Sequence, residues 1–84
     1  MTNKENLKKQ IIYRSSHRGS KEMDLLLGNF VKKNIENLND LELNDLNHLM
    51  SLEDEILKNY YFGINTKIKF SNNKIIKMFK DFKP

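Results

Sequence analysis

Hydrophobic positions in this chain recur at helical spacing almost from end to end. Leu7 and Ile11 share one face with Ile12 beside them, which predicts a first helix running to about Ser16. Thr2 and Glu5 stand before it at the spacing of a capping box. Gly19, able to take a positive φ at little cost, ends that helix, and Ser20 caps the next. Met23, Leu26, Leu27, Phe30, Val31 and Ile35 then follow the i, i+3, i+4 stripe of a second helix. Asn39-Asp40-Leu41-Glu42 is another capping-box match, with Asn as the cap, and Leu43, Leu46, Leu49 and Met50 stripe a third helix.

Ser51-Leu52-Glu53-Asp54 restarts the chain with acids in the first turn, where the helix dipole favours them. Ile56, Leu57 and Tyr60 mark a short fourth helix that Gly63 ends. Residues 64–70 alternate apolar and polar positions, but no partner strand exists for them. They read as an extended connector against the bundle. Helical spacing returns from Asn73 to Phe82 through Ile75, Met78, Phe79 and Phe82. The only proline is the last residue, so it interrupts none of these helices. The expected fold is all-α: a small compact bundle of about five short helices, one domain over residues 1–84, with a C-terminal helix at about 73–82.

Length and composition narrow the chemistry. At 84 residues the chain forms one domain at most. Chains this short bury only about 60–65% of their unfolded surface, so a deep enclosed active site is not expected. The absence of cysteine excludes disulfides, thiolate metal ligands and cysteine nucleophiles. His17 and His48 are too few for a metal site, and His48 reads as a surface or hydrogen-bonded histidine. No apolar run approaches the roughly 18 residues of a spanning helix, and no signal-peptide core follows the start. The sequence therefore reads as a soluble intracellular protein with no membrane insertion, no metal site and no catalytic residues.

Charge is segregated. Residues 1–21 hold six basic side chains and one acid, residues 22–55 nine acids and two lysines, and residues 56–84 seven lysines and one acid. That order fits attraction within the fold, steering toward a protein partner, or solvated helix faces. A small basic helical nucleic-acid-binding protein is the alternative from another class. Its recognition helix would be the second, which carries Glu22 and Asp24 where phosphates would be met, and this argues against nucleic acid. A lysine-rich last helix lying on an anionic membrane is a further alternative, set against packing of its Ile75, Met78, Phe79 and Phe82 onto the bundle.

Thirteen of the fifteen basic residues are lysine, so the two arginines, Arg14 and Arg18, stand out. Arginine is retained where a planar fork must meet carboxylate, phosphate or aromatic groups. Both lie in Arg14-Ser15-Ser16-His17-Arg18-Gly19-Ser20-Lys21-Glu22-Met23-Asp24, one helix-to-helix corner. A purely structural reading stays open: Arg14, His17 and Arg18 complement one helix C-terminus, and Glu22 and Asp24 the next N-terminus.

Arg18-Gly19-Ser20-Lys21-Glu22-Met23-Asp24-Leu25-Leu26-Leu27 followed by Phe30 resembles the R-G-x-x-E-x-D-x-L-L signature of the SdhE-type FAD assembly factors, the bacterial relatives of succinate dehydrogenase assembly factor 2. Arg14 upstream, Leu38-Asn39-Asp40, the Leu49-Met50 region and the aromatic run from Tyr60 to Gly63 add to the resemblance, which covers about residues 12–63. His17 stands where many relatives carry a second basic residue. The residues after Gly63 have no clear match.

The resemblance implies an assembly factor, not an enzyme. It implies binding to the flavoprotein subunit of succinate dehydrogenase, or of fumarate reductase, and promotion of covalent FAD attachment there, with no cofactor bound stably by the factor itself. It places Arg18, Gly19 and Glu22 in a contact loop near the flavin site, supported by Arg14 and Asp24. Arg18 is then expected to display its guanidinium outward for the partner, while Gly19 lets backbone approach closely. The compartment implied is bacterial cytoplasm, since the first helix starts near the N-terminus without an Arg-rich presequence, or the mitochondrial matrix in a eukaryote.

Overall fold

Five helices follow one another in the computed structural model, which describes residues 3–64 and 73–83. They are α1 (Asn3–Ser16), α2 (Lys21–Asn34), α3 (Asp40–Met50), α4 (Asp54–Tyr61) and α5 (Lys74–Asp81), with a 3-10 turn, Ile35–Asn37, extending α2. This is the expected all-α bundle. The Thr2 cap and the alternating stretch at 65–70 lie outside the described residues.

Local chemistry sets most of the boundaries. Ser20 caps α2 by accepting from the Met23 N–H at 3.2 Å. Asn39 and Glu42 form a reciprocal box: the Glu42 N–H donates to Asn39 Oδ1 at 2.8 Å, and the Asn39 N–H to Glu42 Oε1 at 3.0 Å. Asn73 caps α5 by accepting from the Ile76 N–H at 2.9 Å. Gly63, at φ +73°, closes α4: its N–H donates to Tyr60 O at 3.2 Å, and the Ile64 N–H donates to Asn59 O at 2.8 Å. That pair of bonds is a Schellman turn, and its left-handed residue favours glycine.

The stripes converge on one core. Ile11 of α1, Met23, Leu27 and Phe30 of α2, and Leu43, Leu46 and Leu49 of α3 are buried, with Leu57 of α4 and Ile75 and Phe79 of α5. Phe30 meets Phe79 edge-on at 5.5 Å and Phe82 at 5.3 Å, and Tyr61 lies 5.3 Å from Phe79, so the rings join α2, α4 and the C-terminal segment. Ile75, Ile76, Phe79 and Phe82 are all buried and Met78 packs against them, which commits the apolar side of α5 to the bundle rather than to a lipid surface. Among the described residues no helix is long and apolar enough to cross a membrane. Ile12 departs from its expected place beside the core: it is 48% exposed because it falls on the outer edge of the α1 stripe.

Ion pairs among the described residues join the basic flanks to the acidic middle: Lys4–Asp40 at 3.7 Å, Lys8–Glu36 at 3.1 Å, Arg18–Asp54 at 2.6 Å and Lys74–Glu42 at 3.0 Å. The segregated charges thus orient α1 and α5 against the acidic segment between them. The exposed pairs contribute about 0–1 kcal/mol each, so they guide docking more than they hold it.

Glu42 lies below its ordinary carboxylate value, first because the Asn39 backbone N–H donates to it and second because Lys74 does. Its ionised form is the one the fold holds, so its contribution is complete above the unfolded pKa and lost as pH falls through the lowered folded one. Glu42→Ala is therefore expected to melt below the wild type at neutral pH, with the gap closing below the ordinary carboxylate range. A gap that stays constant across an acid melting series would exclude this role for the Glu42 charge.

Candidate functional site

The corner between α1 and α2 is built around Arg18. Its Nε donates to Asp54 Oδ1 at 2.6 Å, Nη1 to Met50 O at 2.7 Å and Nη2 to Leu52 O at 2.6 Å. One planar fork thus takes two carbonyls left at the end of α3 and a carboxylate at the start of α4. Lysine, a point charge with one nitrogen, cannot reproduce that geometry. The backbone joins in: the Arg18 N–H donates to Asp24 Oδ1 at 2.5 Å, and the Gly19 N–H to Asp54 Oδ2 at 2.5 Å.

This corrects the expected role of Arg18. Its side chain is only 9% exposed and directed into the molecule, so it is not displayed for a partner. The fork expected from the rarity of arginine is present, but the groups it meets belong to its own chain. Gly19 also departs from expectation: among the described residues the only positive φ belongs to Gly63, so Gly19 is not needed for a left-handed bend. It is needed for close approach, because a Cβ there would lie 3.0 Å from Asp54 Oδ2. Gly19 itself is exposed.

The other sequence-selected residues divide. Asp24 is half-buried and holds the Arg18 backbone. Glu22 is exposed and its side chain has no hydrogen bond or ion pair among the described residues; the same holds for the side chain of half-buried Arg14. His17 stacks on exposed Tyr13 with ring centroids 4.0 Å apart, and its Nδ1 lies 2.9 Å from Tyr13 O, closing the last turn of α1. The structure therefore gathers Arg18, Gly19 and Asp24 into one brace and leaves Glu22 and His17 facing solvent. Asp54 completes the brace, although the sequence offers it chiefly as a helix-dipole partner. No local spacing signals its role, because it lies 36 residues from Arg18.

The brace fixes three chain segments at one point: the α1–α2 corner, the end of α3 and the start of α4. Ser20, Lys21 and Glu22 then project from a corner whose backbone is held from behind. Among the described residues no group of three His, Asp or Glu side chains could hold a metal ion. The arrangement suits recognition by a preformed surface.

Over residues 9–83, which include the whole brace, the chain matches the family model described as flavinator of succinate dehydrogenase. The chain belongs to that family. Among curated relatives of this flavinator-family chain, it is 32% identical over 56 residues to the FAD assembly factor SdhE of Acetobacter pasteurianus, covering 67% of this chain and 51% of the relative. It is 41% identical over 56 residues to the mitochondrial succinate dehydrogenase assembly factor 2 of Dictyostelium discoideum, covering 67% and 40%. The corresponding protein of Arabidopsis thaliana is 37% identical over 57 residues, covering 64% and 30%. The flavinator-family chain spans about half, or less, of the length of these relatives. No solved structure gives a significant match.

Proposed function

We propose that this chain binds the flavoprotein subunit of succinate dehydrogenase, or of fumarate reductase, and promotes covalent attachment of FAD to it. Family membership over residues 9–83 is the observation that carries this reading. The braced corner supports it with a surface able to act without donating chemistry. Arg18, Asp24 and Asp54 hold the corner, and Gly19 to Glu22 form the face offered to the partner, with His17 and Arg14 at its flank.

A rigid corner that fits only the flavoprotein conformation in which the flavin and its site of attachment are aligned shifts the partner's population toward that conformation. Alignment lowers the entropic part of the barrier to bond formation. The compartment follows the partner, bacterial cytoplasm or mitochondrial matrix.

The test is direct. The flavoprotein subunit, produced in cells lacking such a factor, is incubated with FAD with and without this chain, and covalent flavin is read by in-gel fluorescence. Faster or more complete flavinylation in its presence is the expected result. Equal flavinylation in both lanes would refute the reading, and steeply salt-dependent binding to random duplex DNA would move the chain to the nucleic-acid class.

A further inference from the structure

The face beside the corner carries an apolar groove that the brace does not use. Leu25, Leu26 and Asn29 of α2 and Tyr61 and Phe62 at the end of α4 line a groove of about 340 Å³ together with Glu22. Leu25 is 58% exposed and Phe62 53%, so large apolar side chains stand open to water here. Adjacent exposed apolar residues mark a contact surface more often than isolated ones do.

Both walls are fixed. The first turn of α2 is tied by the Ser20 cap and by Asp24. The end of α4 is locked by the Gly63 turn, and the Tyr61 hydroxyl donates to Phe82 O. Phe62 is thus held outward by its backbone. A groove already in shape loses little conformational freedom on filling.

We propose that this groove is the second half of the partner surface, taking an apolar side chain of the flavoprotein subunit that is flanked by lysine or arginine; this rests on the function proposed above. Charge complementarity selects that occupant. Among the described residues Glu22 is the one charged group lining the groove, and its side chain has no hydrogen bond or ion pair there. Glu22, Leu25 and Asn29 share a face of α2, so a segment crossing the corner at Gly19 enters the groove beside Glu22. A second copy fits poorly. A two-fold interface would bring two Glu22 carboxylates into one small patch, with no basic lining residue among the described residues to answer them. An anionic membrane is disfavoured by the same carboxylate.

The test uses the full chain and the purified flavoprotein subunit. Leu25→Ser and Phe62→Ser are each expected to weaken binding roughly tenfold, as removal of an interface anchor does. Their melting temperatures should stay close to wild type, since both side chains are exposed. Glu22→Gln should weaken binding less and flatten its salt dependence. A photo-crosslinking Phe62→p-benzoylphenylalanine variant should capture a flavoprotein peptide bearing an apolar residue next to lysine or arginine. Wild-type affinity in the Leu25 and Phe62 variants, with binding lost in Gly19→Arg, would overturn the groove and leave the corner standing. Absence of binding by the wild-type chain would overturn the function and the groove together. A wild-type dimer in sedimentation that Leu25→Ser dissociates would replace the flavoprotein with a second copy as the occupant.

Discussion

Arg18→Ala should lower the melting temperature by about 10–20 °C, from a loss of about 2–3 kcal/mol in a domain of this size. The variant leaves two carbonyls and one carboxylate without their donor at the junction of α3 and α4. Breaking a fully buried ion pair costs about 3–5 kcal/mol, but the Asp54 side chain is 24% exposed and water recovers part of that loss. Arg18→Lys should restore charge but not the fork, and melt nearer to the alanine variant than to wild type. Circular dichroism melts check both. Flavinylation measured well below either midpoint adds the functional half: a folded Arg18→Ala chain is expected to be slow, because its corner is no longer held in one shape. Melting unchanged from wild type would show that the brace contributes nothing.

What the sequence made legible follows the range of each interaction. Ser20, Asn39 and Gly63 act within a few residues of themselves, and their spacing alone placed the starts of α2 and α3 and the end of α4. Helical periodicity also left Leu25 off the α2 stripe, where the structure exposes it. The corner was legible as a concentration of unusual residues, but not as a mechanism. Arg18 meets Met50, Leu52 and Asp54, all more than thirty residues away, and hydrogen bonds at that separation leave no periodic trace. The left-handed stop expected of Gly19 fails for the same cause. A glycine after a helix reads locally as a left-handed stop, whereas the demand on this one comes from a carboxylate in another helix.

That distinction makes Gly19 a discriminating position for mutation. A Cβ at 3.0 Å from Asp54 Oδ2 is closer than ordinary van der Waals contact, so Asp54 must give way. It cannot do so freely, because the same carboxylate holds the Gly19 N–H at 2.5 Å and Arg18 Nε at 2.6 Å. Gly19→Ala is therefore expected to cost about 1–2 kcal/mol, through overpacking and weakened hydrogen bonds, rather than the few tenths typical of an exposed loop. The penalty should shrink sharply in an Asp54→Ala background, where the clash has no object, giving a coupling on the order of 1 kcal/mol in a double-mutant cycle. A left-handed glycine would show no such coupling, since backbone strain persists whatever stands at 54. Gly19→Arg adds a long cationic side chain to the exposed face of the corner. It should retain most helix by circular dichroism while losing flavoprotein binding and nearly all flavinylation. Normal flavinylation by a well-folded Gly19→Arg chain would remove the corner from the mechanism, whatever its part in stability.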